Sequence, residues 1–332
     1  MSGITLYEPG ALTLVAKAGT PVAEIEEVLS AQNQRLAFEP MDYRGLLGTR
    51  GTPTIGGVVA TNASGPRRVQ VGACRDYLIG VRFVDGMGNI IKNGGRVMKN
   101  VTGYDLVKLM AGSFGTLGVI SEVAFKVLPR TDVTAVLLIE GLSDGDAVRA
   151  MSAALGSPFE VTGAAHTPTG LDGVPVTMIR IEGFEASVAY RAKELRRLLT
   201  EFGSAEVETD PARTTAGWQW VRDVGAFHGQ VGDIWRISVK PSDGPEIAAR
   251  AGADNVLFDW GGGLIWALVT EGTDLRARLG AFSGHATLVR GSEETRARLA
   301  AFQPEPAPLA ALSAGLRRKF DPRGILNPGM MG

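Results

Sequence analysis

The sequence predicts an α+β protein of two packed units, and three observations carry that prediction. Its 332 residues exceed what one small core usually organises. A β-hairpin is written into residues 77–91, where Val81 and Phe83 share one face and Asp85-Gly86-Met87-Gly88-Asn89 offers positive-φ positions for the turn. Beyond Pro129, strand-like runs at 133–140, 176–182 and 234–240 are interspersed with helix-like runs at 186–202 and 307–320. The domain boundary is therefore placed to give units of 1–130 and 131–332.

Within the first unit, residues 12–16 read as a strand. Thr20 is placed to cap a helix with Pro21 at its first position and Val22, Ile25 and Leu29 on one face. Residues 38–62 are loop-rich, with Pro40, Pro53 and five glycines after Arg44, a long connection of the kind that holds something. A short helix is expected over 105–110. Val123, Phe125 and Val127 alternate as a strand that stops at Pro129. In the second unit the helix over 307–320 carries Leu309, Leu312, Leu316 and Phe320 in register, after a Pro304-Glu305-Pro306-Ala307-Pro308 connector.

Composition narrows the function. With 34 basic and 35 acidic side chains and no long run of one sign, there is no footprint for nucleic acid or an anionic membrane, so small molecules and proteins are the expected partners. Cys74 is the only cysteine, which excludes an intrachain disulfide, a zinc knuckle and an iron-sulfur cluster built from this chain alone. A cytoplasmic location is expected, without a signal segment or a membrane-spanning apolar run. The 44 glycines exceed the usual share of about 7% and favour a site built from loops.

Two dinucleotide motifs are absent. Gly112-x-x-Gly115-x-x-Gly118 has the wrong spacing for a Rossmann turn, and 51–57 lacks the Lys-Ser/Thr of a P-loop. What is present is Thr54-Ile55-Gly56-Gly57, then Thr61-Asn62-Ala63-Ser64-Gly65, turn-forming residues whose N–H groups can converge on an anion or simply make two tight turns. Joined to Lys99-Asn100-Val101-Thr102-Gly103-Tyr104-Asp105-Leu106 and Gly112-Ser113-Phe114-Gly115-Thr116-Leu117-Gly118-Val119-Ile120, the pattern resembles the FAD-binding domain of the vanillyl-alcohol oxidase and p-cresol methylhydroxylase (PCMH) type. Within that superfamily the chain is similar to the FAD-binding subunits of glycolate oxidase. The similarity runs through Ala63-Ser64-Gly65-Pro66-Arg67-Arg68, Arg75-Asp76-Tyr77, Gly95 to Val101, Trp235-Arg236-Ile237-Ser238, Asp259-Trp260-Gly261-Gly262, Gly284-His285-Ala286-Thr287 and Asn327-Pro328-Gly329.

The resemblance implies FAD as cofactor, with Pro40, Thr54, Ile55, Gly56, Gly57, Thr61, Asn62, Ser64 and Gly65 lining the flavin and its diphosphate, and Gly118, Val119 and Ile120 beside the nucleotide half. It implies an N-terminal βαβ segment with a glycine-rich diphosphate loop ahead of 12–16, which this sequence begins too late to include. It implies oxidation of glycolate to glyoxylate in a glycolate oxidase complex, whose other members are a catalytic flavin subunit and an iron-sulfur subunit that carries electrons onward. It also implies an α+β cap domain whose C-terminal segment, with Asn327-Pro328-Gly329, returns to the flavin domain. Rival readings are a stand-alone 2-hydroxy-acid dehydrogenase and a structural subunit that no longer binds FAD.

Catalytic candidates come from the second unit. Alternation puts Arg236, Ser238 and Lys240 on one face, where an arginine suits a carboxylate and a solvent-facing strand edge explains the same pattern. His285, flanked by small residues, is the candidate general base, or else a structural histidine. Arg67 and Arg68 read as a solvated pair or as an offset for flavin or substrate charge. His166, His228 and His285 show no metal-ligand spacing. Cys74 reads as structural, and the five tryptophans as core or subunit contacts.

Overall fold

The computed structural model describes residues 1–95, 103–170 and 172–331; the stretch Lys99 to Thr102, part of the FAD-like pattern, lies outside the described residues. Strands β1 (Ile4–Glu8) and β2 (Thr13–Lys17) pair antiparallel, and α1 (Val22–Ser30) buries Val22, Ile25 and Leu29 as its spacing requires. Thr20 does not cap that helix. Its hydroxyl donates to the Lys17 carbonyl at 2.7 Å and accepts from the Gly3 amide at 2.9 Å, so it ties the strand ends together while Pro21 occupies the N-cap.

After β3 (Gln34–Arg35), the stretch expected to be loop contains α2 (Arg44–Leu47) and α3 (Ile55–Thr61), followed by α4 (Arg68–Val71) and α5 (Cys74–Tyr77). Tertiary packing overrides the poor helix propensity of Gly56 and Gly57 in α3: Thr54 caps the helix by accepting from the Gly57 amide, and Ile55, Val58 and Val59 are buried. The expected hairpin forms as β4 (Leu78–Val84) and β5 (Ile90–Gly94), its turn closed by Asp85, whose Oδ1 accepts from the amides of Met87 and Asn89. Helix α6 (Leu106–Met110) is capped by Asp105, and β6 (Val119–Lys126) runs on into β7 (Leu128–Pro129), which pairs with β3. The first sheet has the order β1-β2-β6-β4-β5 around a core that includes Leu14, Ile25, Phe38, Ile55, Phe83 and Phe125.

The second unit is built on one eight-stranded sheet. In chain order it comprises β8 (Val133–Glu140), α7 (Asp144–Leu155), β9 (Val161–Thr167), β10 (Val176–Gly183), α8 (Glu185–Leu198), β11 (Ala205–Glu208), α9 (Pro211–Arg222) and β12 (Asp233–Val239). It continues through α10 (Gly244–Ala251), β13 (Asn255–Asp259), β14 (Leu264–Val269), α11 (Leu275–Leu279) and β15 (Gly284–Arg290). The order is β11-β8-β10-β9-β13-β14-β12-β15, with every neighbouring pair antiparallel. One face is sealed by helices over Leu137, Ile179, Trp235, Phe258 and Ile265. On the other, Leu257, Leu264 and Trp266 meet Met41 and Leu46 from the first unit, while Trp218 and Val221 of α9 cover Val136 and Met178.

Charged side chains cross this interface. Arg180 holds Glu39 through two parallel bonds of 2.9 and 2.8 Å, Arg67 binds Glu182, and Arg35 reaches Glu182 at 2.9 Å. Arg67, read from sequence as a solvated or charge-offsetting residue, is 2% exposed and committed to this network. Burial alone would raise the Glu39 and Glu182 carboxyls. Arg180 and Arg67, with Arg35 at Glu182, outweigh it and hold both below the ordinary carboxylate range.

The chain ends with α12 (Glu293–Arg298) and α13 (Ala307–Phe320). The apolar register of α13 is present, but Leu309, Leu312 and Leu316 remain exposed and only Phe320 is covered, its ring 6.1 Å from Phe83. The tail reaches the first unit: the Gly86 amide donates to the Phe320 carbonyl at 2.8 Å, and Asn327 Nδ2 to the Phe114 carbonyl at 2.6 Å.

Candidate functional site

Strand register decides which side chains meet. Trp266 of β14 lies opposite Leu257 on β13 and Arg236 on β12, and Arg236 lies opposite Thr287 on β15. The adjacent row is Asp259, Leu264, Ser238 and His285. Cross-strand partners project to the same side of a sheet, so both rows face the first unit along with Leu257 and Trp266, which pack there. Arg236 and Ser238 share this face as their alternation suggested, and His285 joins them from β15. Lys240 lies one residue beyond β12 and is exposed at its end.

A strained turn completes the site. Trp260 follows β13 at φ +54°, with Gly261 at +68° and Gly262 at +100°. A left-handed tryptophan is costly, and it is held by Asp259, whose Oδ1 accepts from the Trp260 amide at 2.7 Å. The indole Nε1 donates to the Gly65 carbonyl at 3.1 Å, which fixes the ring against the segment Asn62 to Gly65. The Arg68 guanidinium lies 4.7 Å and that of Arg236 5.0 Å from the ring centre. Among the described residues neither guanidinium has a hydrogen-bond or ion-pair partner.

The electrostatics follow from this crowding. Burial, then neighbouring Arg68, lowers Arg236 below its ordinary value, while Tyr43 and Asp259 act in the opposite direction. His285 is lowered by partial burial and then by Arg236 and Arg68, so it is neutral and able to accept a proton near pH 7. Asp259 is 3% exposed; burial pushes its carboxyl up to about 7 despite the Trp260 amide and the nearby arginines.

Of the residues expected around FAD, Gly57, Thr61 and Val119 are exposed, Pro40, Ile55, Gly65, Gly118 and Ile120 are buried, and Gly65 touches Trp260 of this cluster. Pro40 is buried next to Glu39. The α3 amides are already engaged: Ile55 N donates to Thr20 O, Gly56 N to Ala18 O and Gly57 N to Thr54 Oγ1, so they do not form the open nest the turn reading anticipated. Gly57 and Thr61, one helical turn apart, are exposed, and a Cβ on Gly57 would meet no atom closer than 3.5 Å. Asn62 Oδ1 accepts from the Arg75 amide and Ser64 Oγ from the Cys74 amide, so both side chains hold α5 in place. Gly118 is buried against Phe83, Val119 is 52% exposed and Ile120 is in the core. Gly65 is required sterically, since a Cβ there would lie 2.4 Å from the Glu39 carbonyl oxygen. Gly65→Ala is expected to cost about 1–3 kcal/mol by displacing this segment, checked by thermal unfolding.

These residues fit an anionic aromatic cofactor: the exposed Gly57 and Thr61, the uncovered apolar Val119, and two guanidinium groups beside the Asn62 to Gly65 segment that are unpaired among the described residues. Tyr43, Asp259 and Trp260 were not singled out as site residues from sequence, and Arg68 entered only as one of an arginine pair with two readings. The available signal was the aspartate before a Trp-Gly-Gly turn, which marks a strained backbone held by a carboxylate. His166 is buried on the helix side of the sheet, bonded to Thr177 Oγ1 at 2.9 Å and Asp144 at 3.3 Å, and His228 accompanies the Asp223 carbonyl. Cys74 is buried and free, its thiol pushed well up by burial.

Comparison with known proteins bears on the family and the fold. Residues 1–94 match the family described as FAD binding domain. The chain is 36% identical to glycolate oxidase subunit GlcE of Escherichia coli (strain K12), covering 99% of this chain and 84% of that one. It is 33% identical over 153 residues to glycolate oxidase subunit GlcD of Bacillus subtilis (strain 168), covering 42% of this chain and 32% of that one. Among solved structures, p-cresol methylhydroxylase with substrate bound superposes with a TM-score of 0.68 at 14% identity, over 99% of this chain and 78% of that one. Alkyldihydroxyacetonephosphate synthase superposes with a TM-score of 0.67 at 17% identity over 99% of this chain, which spans 66% of the synthase. At such identities the two structures speak for the fold, and the relation to GlcE for descent. The chain belongs to the glycolate oxidase subunit GlcE family, FAD-linked oxidoreductases with a p-cresol methylhydroxylase-type fold.

Proposed function

We propose that this chain is the GlcE-type FAD-binding member of a glycolate oxidase complex, oxidising glycolate to glyoxylate beside a GlcD-type flavin protein and an iron-sulfur protein. Residues 1–130 hold FAD and 131–332 form the cap. The observation that carries the reading is the pair of unpartnered guanidinium groups, Arg68 and Arg236, stacked on Trp260 against the Asn62 to Gly65 segment. Such a pair in a half-buried place is suited to a small carboxylate.

In this assignment Pro40, the exposed side of α3 at Thr54, Gly57 and Thr61, the Asn62 to Gly65 backbone and the Gly118 to Ile120 strand hold FAD. When bound, FAD supplies the acceptor for the α-hydrogen and its electron pair. Arg236 grips the substrate carboxylate and fixes which face of the α-carbon is presented. His285 takes the hydroxyl proton on a ring nitrogen, which its lowered pKa leaves free near neutrality. Lys240 stands at the rim, where its ammonium attracts anions toward the cleft.

The test is anaerobic mixing of the FAD-loaded chain with glycolate, alone and with the GlcD-type flavin and iron-sulfur partners, followed by flavin absorbance. Glycolate-dependent bleaching is expected, slowed about 10²-fold or more by His285→Gln. Turnover by the chain alone with an artificial acceptor would favour a free-standing dehydrogenase. A chain that takes up no FAD, or that never bleaches in any combination, would leave only a structural role in the complex.

A further inference from the structure

Asp259 is a buried carboxyl that the reaction as assigned does not use. It ends β13 in the row that continues through Leu264 and Ser238 to His285, and it sits diagonally across β14 from Arg236. Among the described residues the one hydrogen bond to its carboxyl comes from the amide of Trp260, the first residue of the turn that seats the ring beneath Arg236 and Arg68. The charged groups facing it are Arg180 from β10, Glu39 from the loop before α2, and Arg236 from β12. Arg180 is already satisfied by Glu39 through two bonds, so of the two arginines whose charge acts on Asp259, Arg236 is the one without a hydrogen-bond or ion-pair partner among the described residues.

We propose that Asp259 is a positioning residue that sets the anion affinity of Arg236: when protonated it leaves the guanidinium to the substrate carboxylate, and when ionised it competes for it. The proposal rests on the assignment of Arg236 as the carboxylate site. Both groups lie in the same poorly hydrated space, where a charge on one acts strongly on the other. By reciprocity, a carboxylate arriving at Arg236 drives a proton onto Asp259. Because burial raises this carboxyl to about 7, the exchange falls in the neutral range. His285 is lowered from its ordinary value by partial burial and then by Arg236 and Arg68, so it loses its proton at lower pH than Asp259 does.

The test is calorimetric titration of the FAD-loaded chain with glycolate from about pH 6 to about pH 8.5, a range over which glycolate itself stays ionised. Affinity is expected to weaken on the order of tenfold as pH rises in wild type and in His285→Gln, and to stay level in Asp259→Asn. Asparagine keeps the acceptor for the Trp260 amide. The folded state favours the protonated acid, so wild type loses stability as pH rises from about 4 to about 7, and the variant is expected to fold at least as well in alkali. Titration of wild type near pH 7 in buffers of different ionisation enthalpy adds an independent reading, with uptake of a fraction of a proton per glycolate expected. A pH slope that persists in Asp259→Asn, or binding without proton uptake, overturns the proposal and leaves the Arg236 assignment standing. Absence of glycolate binding at any pH overturns both.

Discussion

Replacing Arg180 with methionine is expected to destabilise the protein by about 3–5 kcal/mol, the largest effect of any single change at the domain interface. The side chain is 4% exposed and carries the bidentate bond to Glu39, bonds of 3.1 Å to Thr162 Oγ1 and the Thr162 carbonyl, and a stack on Trp218. Methionine restores much of the volume and none of the charge, which leaves Glu39 with Arg67 as its remaining ion-pair partner among the described residues. The second change Glu39→Gln on that background is expected to recover most of the loss, because the cost lies in the stranded carboxylate rather than in the missing bond. Thermal unfolding of the two variants checks this. The pH dependence has a definite sign. Glu39 and Glu182 are held below their ordinary value, so the network's contribution is present above about pH 4.5 and is lost as pH falls through the lowered values. Arg180→Met should therefore differ most from wild type near neutrality and converge on it in acid.

Replacing Arg236 with methionine is expected to lower kcat/KM for glycolate by about 10²- to 10³-fold, with most of the change in KM. The guanidinium makes no hydrogen bond or ion pair among the described residues, so the unfolding midpoint should hardly move. Lysine is expected to restore only part of the activity, since it keeps the charge and loses both the planar fork and the stack on Trp260. The companion change Arg68→Met should cost less, because Arg68 sits on the more open side of the ring. Steady-state kinetics with glycolate, alongside thermal unfolding, separates these outcomes. Unchanged kinetics in Arg236→Met would remove the carboxylate site from this strand.

Local signals in the sequence were enough to determine the class of this protein. Alternation at Val81 and Phe83 with the Asp85 turn gave the hairpin, the spacing of Val22, Ile25 and Leu29 gave α1, and the family resemblance carried by the glycine-rich order between Thr54 and Ile120 implied FAD. The hairpin and the helix are short-range patterns whose period or turn chemistry has few structural solutions. Arg236 was likewise legible as a candidate from the alternation of its strand, and His285 from the small residues that flank it.

Other features were decided only when the chain folded. Helix α3 was hidden because Gly56 and Gly57 disfavour helices locally, and it exists because Ile55, Val58 and Val59 find a core and the backbone of Gly56 lies against Ala18. Arg67 and Arg68 are neighbours of one type, yet one is locked to Glu182 and the other stacks on Trp260, a difference set by partners more than a hundred residues away. The meeting of Asp259, Trp260, Arg236 and His285 depends on register across β13, β14, β12 and β15, and no local pattern encodes which strands lie side by side. The sequence by itself determined a flavin-binding scaffold with small polar and cationic candidates. The tertiary structure decided which of them are buried together, because burial and neighbouring charge change what an arginine or an aspartate can do.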